Sequence, residues 1–313
     1  MKFASAPVVL LAYNRPVHTR RVLQVIRKAE PRVLIAVMDG PRQGDHIDRA
    51  LVEQTRSVVE EVDWACEFHR VYADSNMGLK NRVSSGLDKA FELVDEAIVL
   101  EDDCVPSLSF FGYVSELLHR YRDDERIGII SGTQRLRGRW GGDSSYLFSK
   151  DVRIWGWGTW ARTWRAFSAS GDLGMAWTTD EALEQGESFA AGARRRSMIA
   201  MMSRAKELDS WALPFALHCV RKGYLNPIPR KNLIRNIGLG AGATHTGFEN
   251  YVVDIKGSEI ALPLVHPREV AYSFPVDEWE SRLDAREFFT YPMKHPLDTL
   301  LRVWRWAFTR RDD

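Results

Sequence analysis

Glu101, Asp102 and Asp103 follow one another directly after the apolar run Ala97-Ile98-Val99-Leu100 and lead into Cys104-Val105-Pro106. Three successive carboxylates at the end of a buried strand repel one another and are costly to desolvate, so a cation is expected to offset them. A divalent ion carrying a nucleotide diphosphate has the charge and the oxygen preference for that task. Taken alone, such a triplet also reads as a solvated turn. Three more polar signatures weigh against the turn: Tyr13-Asn14-Arg15, Asp39-Gly40 and Asn76-Met77-Gly78-Leu79-Lys80 each close a strand-like run. Ligands of open parallel sheets bind outside the carboxyl ends of strands, and unrelated turns would not all be polar at one edge.

The elements that must position these residues can be read from periodicity. Val8 to Ala12 is strand-like, Asn14-Arg15-Pro16 is a turn with proline suited to a first helical position, and Val22, Val25, Ile26 and Ala29 recur at helical spacing. The unit repeats with a strand over Val33 to Met38 and a helix carrying Ile47, Leu51, Val58 and Val62 on one face. A strand near Phe68 to Ala73 and a helix through Leu79, Val83, Leu87, Ala90 and Val94 then lead to the Ala97 to Leu100 strand. Strands alternating with helices predict an α/β fold with a doubly wound, mostly parallel sheet. Ser107 is an expected cap for a helix through Phe110, Val114, Leu117, Leu118 and Tyr121, and Ile127 to Ser131 and Tyr146 to Ser149 are further strand candidates. Polar helical sequence from about Thr178 to Lys206 precedes a helix through Trp211, Phe215, His218, Cys219 and Lys222 that ends at Gly223.

At 313 residues and 45% hydrophobic content, the chain can bury one large core without disulfides. The 43 Lys and Arg nearly balance the 42 Asp and Glu, which argues against a broad nucleic-acid surface. Cys66, Cys104 and Cys219 are too few and too far apart for a disulfide framework or a cysteine zinc site, which suits a reducing cytosol. The start of the chain turns polar too quickly for a signal peptide, and no apolar run approaches spanning length. A cytoplasmic location is expected.

The strand-end constellation resembles the nucleotide-sugar half of GT-A-type glycosyltransferases, especially family 2-like enzymes and N-acetylglucosaminyltransferase I, over roughly Ala6 to Phe111 and more loosely beyond. The resemblance implies a GT-A, Rossmann-like core with a nucleotide-sugar-binding half over 1–150 and an acceptor and catalytic half of the same domain over 151–290. It implies that Leu11-Ala12-Tyr13-Asn14-Arg15 cradles the nucleotide, with Ala12, Tyr13 and Arg15 in contact, and that Asp39 hydrogen-bonds the base. Asn76, Gly78 and Gly86 are similar to the Asn-x-Gly helix start, and either Lys80 or Arg82 meets the diphosphate. Glu101 and Asp102 would then meet ribose and sugar hydroxyls while Asp103 binds Mn or Mg. A cation bridging both phosphates offsets charge on the leaving oxygen, and phosphates and water complete its shell, so one or two protein carboxylates suffice.

An inverting reaction also needs a general base for the acceptor hydroxyl. Glu207-Leu208-Asp209-Ser210-Trp211 resembles the acidic, tryptophan-containing segment that holds the catalytic aspartate in N-acetylglucosaminyltransferase I, which makes Asp209 the candidate and Glu207 the next. Asp209 as a mere cap of the helix beginning near Ser210 is the plainer alternative. His245, after the loop Gly238-Leu239-Gly240-Ala241-Gly242-Ala243, looks like the histidine that closes onto metal and diphosphate in several GT-A enzymes, though a loop histidine can simply be exposed. Trp155, Trp157 and Trp160, interleaved with Gly156 and Gly158, read as an acceptor or sugar wall, with core packing as the alternative.

Leu297, Leu300, Leu301, Trp304 and Phe308 share a helical face within 291–313, and Arg302, Arg305, Arg310 and Arg311 make that helix basic. It would either dock on its own domain or a dimer partner, or lie peripherally on the inner face of the cytoplasmic membrane, which would suit a lipid-linked glycan acceptor. The expected function is transfer of a sugar, with a UDP donor favoured, to a hydroxyl of a glycan or glycolipid, by inversion or, in the alternative, retention. The rivals are a sugar-phosphate nucleotidyltransferase, which normally carries a glycine-rich basic loop after the first strand, and a non-catalytic carbohydrate- or nucleotide-binding module.

Overall fold

β1 (Val8–Ala12) is apolar throughout because both of its faces are covered. Val8 and Leu10 join one core with Val22, Leu23, Ile26 and Ala29 of α1 (Pro16–Ala29) and with Phe110 and Val114 of α4 (Leu108–Arg120). Val9 and Leu11 face the other way, into a second core. Its other contributors include Val83 and Leu87 of α3 (Leu79–Leu93), Trp164 of α5 (Ala161–Ser170) and Phe215 of α6 (Ala212–Arg221). A sheet with helices on both faces is the doubly wound α/β arrangement the alternation of strands and helices predicts. The computed structural model describes residues 5–136, 141–174, 209–238, 256–294 and 296. The expectations at Glu207, at His245, over 178–206 and for the face from Leu297 to Phe308 lie outside the described residues.

The remaining strands of the main sheet are β2 (Val33–Met38), β3 (Glu67–Tyr72), β4 (Glu96–Glu101), β6 (Ile129–Ser131) and β8 (Trp157–Trp160). Their order is β3-β2-β1-β4-β8-β6, with the first four parallel and β8 antiparallel to both β4 and β6. The chain steps outward from β1 to β3 and then returns across β1 to place β4 on its other side. That reversal opens a crevice at the carboxyl ends of β1 and β4, where ligands of such sheets bind. The register sets Leu11 beside Glu101 and Ala12 beside Met38, so the turns after three strands meet at one edge.

Two small antiparallel ribbons tie the second half to this frame. β5 (Cys104–Pro106) pairs with β10 (Ile234–Asn236), and β7 (Tyr146–Ser149) pairs with β9 (Asn226–Pro229). A final helix, α7 (Phe274–Lys294), is held by its first turns: Asp277 accepts from the Ser149 hydroxyl and the Lys150 N–H, and Glu280 pairs with buried Arg153. Among the described residues, no helix is long and apolar enough to cross a membrane.

Three expectations change. Ile47 of α2 (His46–Val59) does not face inward: it is 76% exposed, whereas Val58 of the expected face is buried together with Asp48, Val52, Thr55 and Val59. Ser107 occupies the cap position of α4 without a capping bond of its own; Glu259 instead accepts from Leu108 N at 3.0 Å and Ser109 N at 2.8 Å. Trp157 and Trp160 are not a sugar wall, since both are buried in β8. Trp157 stacks on Trp211, and the Trp160 indole donates to the Leu118 carbonyl. A Cβ at Gly158 would lie 2.3 Å from Val114 and one at Gly156 2.3 Å from Ile234, so these glycines give clearance to the protein's own core. Trp155 alone of the three is half-buried, packed beside that core at the carboxyl edge.

Candidate functional site

Three residues, Tyr13, Asn14 and Arg15, join β1 to α1, and Pro16 starts the helix with its φ already set and no N–H to satisfy. That short turn brings Arg15 over the crevice, where its guanidinium lies 3.1 Å from Asp103 and 3.7 Å from Asp102. Glu101 ends β4 half-buried, and the chain turns at once into β5, so the triplet spans the opposite lip. The Asp102 carboxyl is 7% exposed; burial and then the Asp103 charge push it up to about 7, against Arg15 and the Tyr13 N–H. Burial and the same carboxylates raise the Cys104 thiol well above its ordinary value, so it behaves as a small neutral side chain.

The β5–β10 ribbon delivers a second wall. Pairing of Asn236 with Cys104 leads Ile237 N to the Asp103 carbonyl at 2.8 Å and sets Gly238 against the Asp103 side chain. A Cβ on Gly238 would stand 2.0 Å from Asp103 Oδ2, so this position admits no side chain while that carboxylate keeps its place. Gly238 is the start of the predicted glycine loop, and the rest of that loop lies outside the described residues. Among the described residues, no three His, Cys, Asp or Glu side chains gather as a metal cage. Hard oxygens from one or two carboxylates, next to space kept clear by glycine, suit Mg or Mn that takes its other ligands from phosphate and water.

The base-side expectations fall on a tightly bonded floor. Asp39 is buried, and its carboxylate accepts from Gly40 N at 2.8 Å, Met77 N at 2.9 Å and the Asn76 amide at 3.1 Å. It thereby staples the loop after β2 to the turn before α3, and burial raises its carboxyl above the ordinary value despite those bonds. Arg82 is buried on α3 and donates to the Val71 carbonyl at 2.8 Å, whereas Lys80 is partly exposed. Burial lowers the Arg82 guanidinium from its ordinary value. Of the two basic residues considered for the diphosphate, Arg82 braces the sheet edge.

Gly78 opens α3 with φ +78°, in the region that favours glycine, and offers no side chain to cap the helix. The cap comes from the other half of the chain. Asp209, exposed and 129 residues further on, accepts from Lys80 N at 3.2 Å, and its Oδ2 would lie 3.4 Å from a Cβ on Gly78. It does not cap its own neighbour, α6, whose cap residue is Trp211. Trp211 anchors this segment by stacking on Trp157 beneath. A helix N-terminus favours negative charge, so the Asp209 carboxylate is held at the carboxyl edge of the sheet by an ordinary electrostatic preference.

One hub was not anticipated. Asp48, 3% exposed on α2, accepts from the Tyr13 hydroxyl at 2.5 Å, the Asn14 amide at 2.7 Å and Arg42 N at 2.7 Å. Burial pushes its carboxyl up, but these hydrogen bonds together hold it below the ordinary carboxylate range. The legible signal was a carboxylate in line with Val52, Thr55 and Val59 on the inward stripe. Away from this edge, a cavity of about 360 Å³ lined by Arg27, Glu30, Asp63, Trp64 and Ala65 opens at the amino ends of β2 and β3.

The chain is thus a mixed α/β protein whose Rossmann-like, mostly parallel sheet presents an acidic and basic crevice at its switch point. No family model matches it. Among solved structures it is similar to a UDP-glucose pyrophosphorylase complexed with UDP-glucose, at 12% identity and a TM-score of 0.31, over 54% of this chain and 80% of that one. It is also similar to HddC from Yersinia pseudotuberculosis complexed with GMP-PN, at 11% identity and a TM-score of 0.27, over 46% of this chain and 60% of that one. At those scores the likeness does not extend to activity.

Proposed function

We propose that this protein is a metal-dependent, inverting glycosyltransferase that moves a sugar from a nucleoside diphosphate sugar, with UDP favoured, to a hydroxyl of a glycan or glycolipid. The observation that carries the reading is the crevice at the β1–β4 switch point, where Arg15 meets Asp102 and Asp103 beside Gly238 while Asp209 sits at the start of α3. Asp103, with Asp102 beside it, would hold Mn or Mg. That ion would offset the charge growing on the departing diphosphate. Arg15 supplies a second, fixed positive charge, and Lys80 can reach the phosphates from α3. Asp209 takes the proton from the acceptor hydroxyl as its oxygen bonds to the anomeric carbon and the bond to the diphosphate breaks.

A sugar-phosphate nucleotidyltransferase would need to hold a triphosphate after β1. The turn there has three residues, none of them glycine, which supports the glycosyltransferase over that rival. Thermal unfolding against a panel of nucleoside diphosphates and nucleotide sugars, with and without Mn, tests the proposal. UDP or UDP-sugars are expected to raise the melting temperature in a Mn-dependent way, and Asp103→Asn to remove the Mn dependence. Stabilisation by no nucleoside diphosphate overturns the reading. Pyrophosphate release from a nucleoside triphosphate and a sugar phosphate would favour the rival.

A further inference from the structure

Asp48 is a buried carboxylate with no part in the reaction as written, yet it binds both turns that flank the crevice on its β1–β2 side. Its Oδ2 takes the Tyr13 hydroxyl at 2.5 Å and Arg42 N at 2.7 Å, while Oδ1 takes the Asn14 amide at 2.7 Å. Asp48 is also the third residue of α2 after the cap Asp45, whose own carboxylate accepts from Ile47 N at 3.1 Å and Asp48 N at 2.9 Å. The first turn of that helix therefore favours the ionised form twice over, through its dipole and through the hydrogen bonds.

The geometry points to Asp48 as a positioning residue that fixes the Tyr13 ring as the platform for the nucleoside base; this rests on the nucleotide-sugar reading above. An aromatic ring with two soft torsions makes a useful stacking surface only when its far end is held. Here the phenol is held by a carboxylate that is itself immobile, being buried and saturated with donors. The Arg42 guanidinium lies 5.4 Å from the Tyr13 ring centroid, on a side chain 56% exposed. That spacing leaves no room for a base between the two, so a base on this face takes the place of the guanidinium, which swings into solvent. Asp48 holds Arg42 both through its backbone N–H at 2.7 Å and through its guanidinium at 3.5 Å, so when the side chain moves that longer contact is lost while the backbone bond keeps the loop in place.

The test separates the nucleoside from the phosphates. Binding of UDP, UMP and inorganic pyrophosphate, each with Mn, is measured by calorimetry for the wild type, Asp48→Asn, Tyr13→Phe and the double variant. Asp48→Asn and Tyr13→Phe are each expected to weaken UDP and UMP about tenfold, the equivalent of 1.4 kcal/mol. The double variant should be no weaker than Asp48→Asn alone, because the Tyr13–Asp48 bond that Tyr13→Phe removes is common to both. Pyrophosphate binding should stay at the wild-type value. Tyr13→Phe keeps the ring and the fold if Asp48→Asn does not express. Unchanged UDP affinity, additive losses, or an equal loss for pyrophosphate overturns the assignment while leaving the nucleotide-sugar reading intact. A wild type that binds pyrophosphate but no nucleoside diphosphate overturns both.

Discussion

Replacing Asp209 separates the cap that its position provides from the general-base role proposed for it. Its carboxylate is the only side-chain acceptor described for the open start of α3, at 3.2 Å from Lys80 N, and Gly78 contributes none. Removing such a cap costs a helix about 1 kcal/mol, whereas asparagine caps about as well as aspartate. Asp209→Ala should therefore lower stability by about 1 kcal/mol, a melting shift of roughly 2 °C in a chain of this size. Asp209→Asn should melt within about 0.5 kcal/mol of the wild type. Only the carboxylate can take a proton at neutral pH, and a positioned base contributes about 10²- to 10⁴-fold to turnover. Asp209→Asn should thus keep its stability and its UDP affinity while losing at least about a hundredfold in kcat. Scanning calorimetry gives the first quantity, and Mn-dependent release of UDP from the donor found in the binding panel gives the second. Identical melting of Asp209→Ala and wild type would refute the cap; wild-type turnover by Asp209→Asn would refute the base.

Gly238→Ala places a methyl 2.0 Å from Asp103 Oδ2 and should both cost about 1–3 kcal/mol and abolish Mn-dependent stabilisation by UDP, read in one thermal-shift series. Gly86→Ala meets Val37 Cγ1 at 2.1 Å where α3 crosses β2; a loss of about 1–3 kcal/mol is expected in urea, with partial recovery on adding Val37→Ala. His218 is buried with Nδ1 on Asp172 at 2.7 Å, and burial holds its imidazole below the ordinary 6.5 in spite of that carboxylate. The folded protein then binds fewer protons than the unfolded chain just below 6.5, so stability falls as pH drops from there through the folded-state value. His218→Gln should lose less stability than wild type between about pH 7.5 and 5.5, and an equal slope by urea titration would rule His218 out as its cause.

β1, β2 and β4 were legible because a doubly covered strand is an unbroken apolar run and its neighbouring helices repeat at their own period, whereas β3, half-buried at the sheet edge and carrying Glu67, His69 and Arg70, gives a weaker run. Val8 to Ala12, Val33 to Met38 and Ala97 to Leu100 carry that signal without reference to anything distant. β8 was not legible. Its glycines resembled clearance for a ligand, and nothing in Trp157-Gly158-Thr159-Trp160 announces that Val114 will press on one of them from α4. Ile47 at the start of α2 was misplaced for a related reason: it looks like a core residue, but the turn after β1 supplies donors that draw Asp48 inward instead.

The same division runs through the site. Local sequence determined that polar groups end β1, β2, β3 and β4, because strand and turn chemistry act over a few neighbouring residues. Resemblance carried by short local motifs singled out Arg15, Asp103 and Asp209 one by one. Only the tertiary structure decided which of them meet. Arg15 reaches Asp103 because the chain crosses back over β1 to lay down β4, and Gly238 lies against that carboxylate because β10 pairs with β5. Asp209 settles on α3 because that helix begins with a glycine and leaves its N–H groups for a distant carboxylate to accept. Hydrogen-bond donors left over by one element are satisfied by whatever the fold brings near, and sequence separation sets no limit on that.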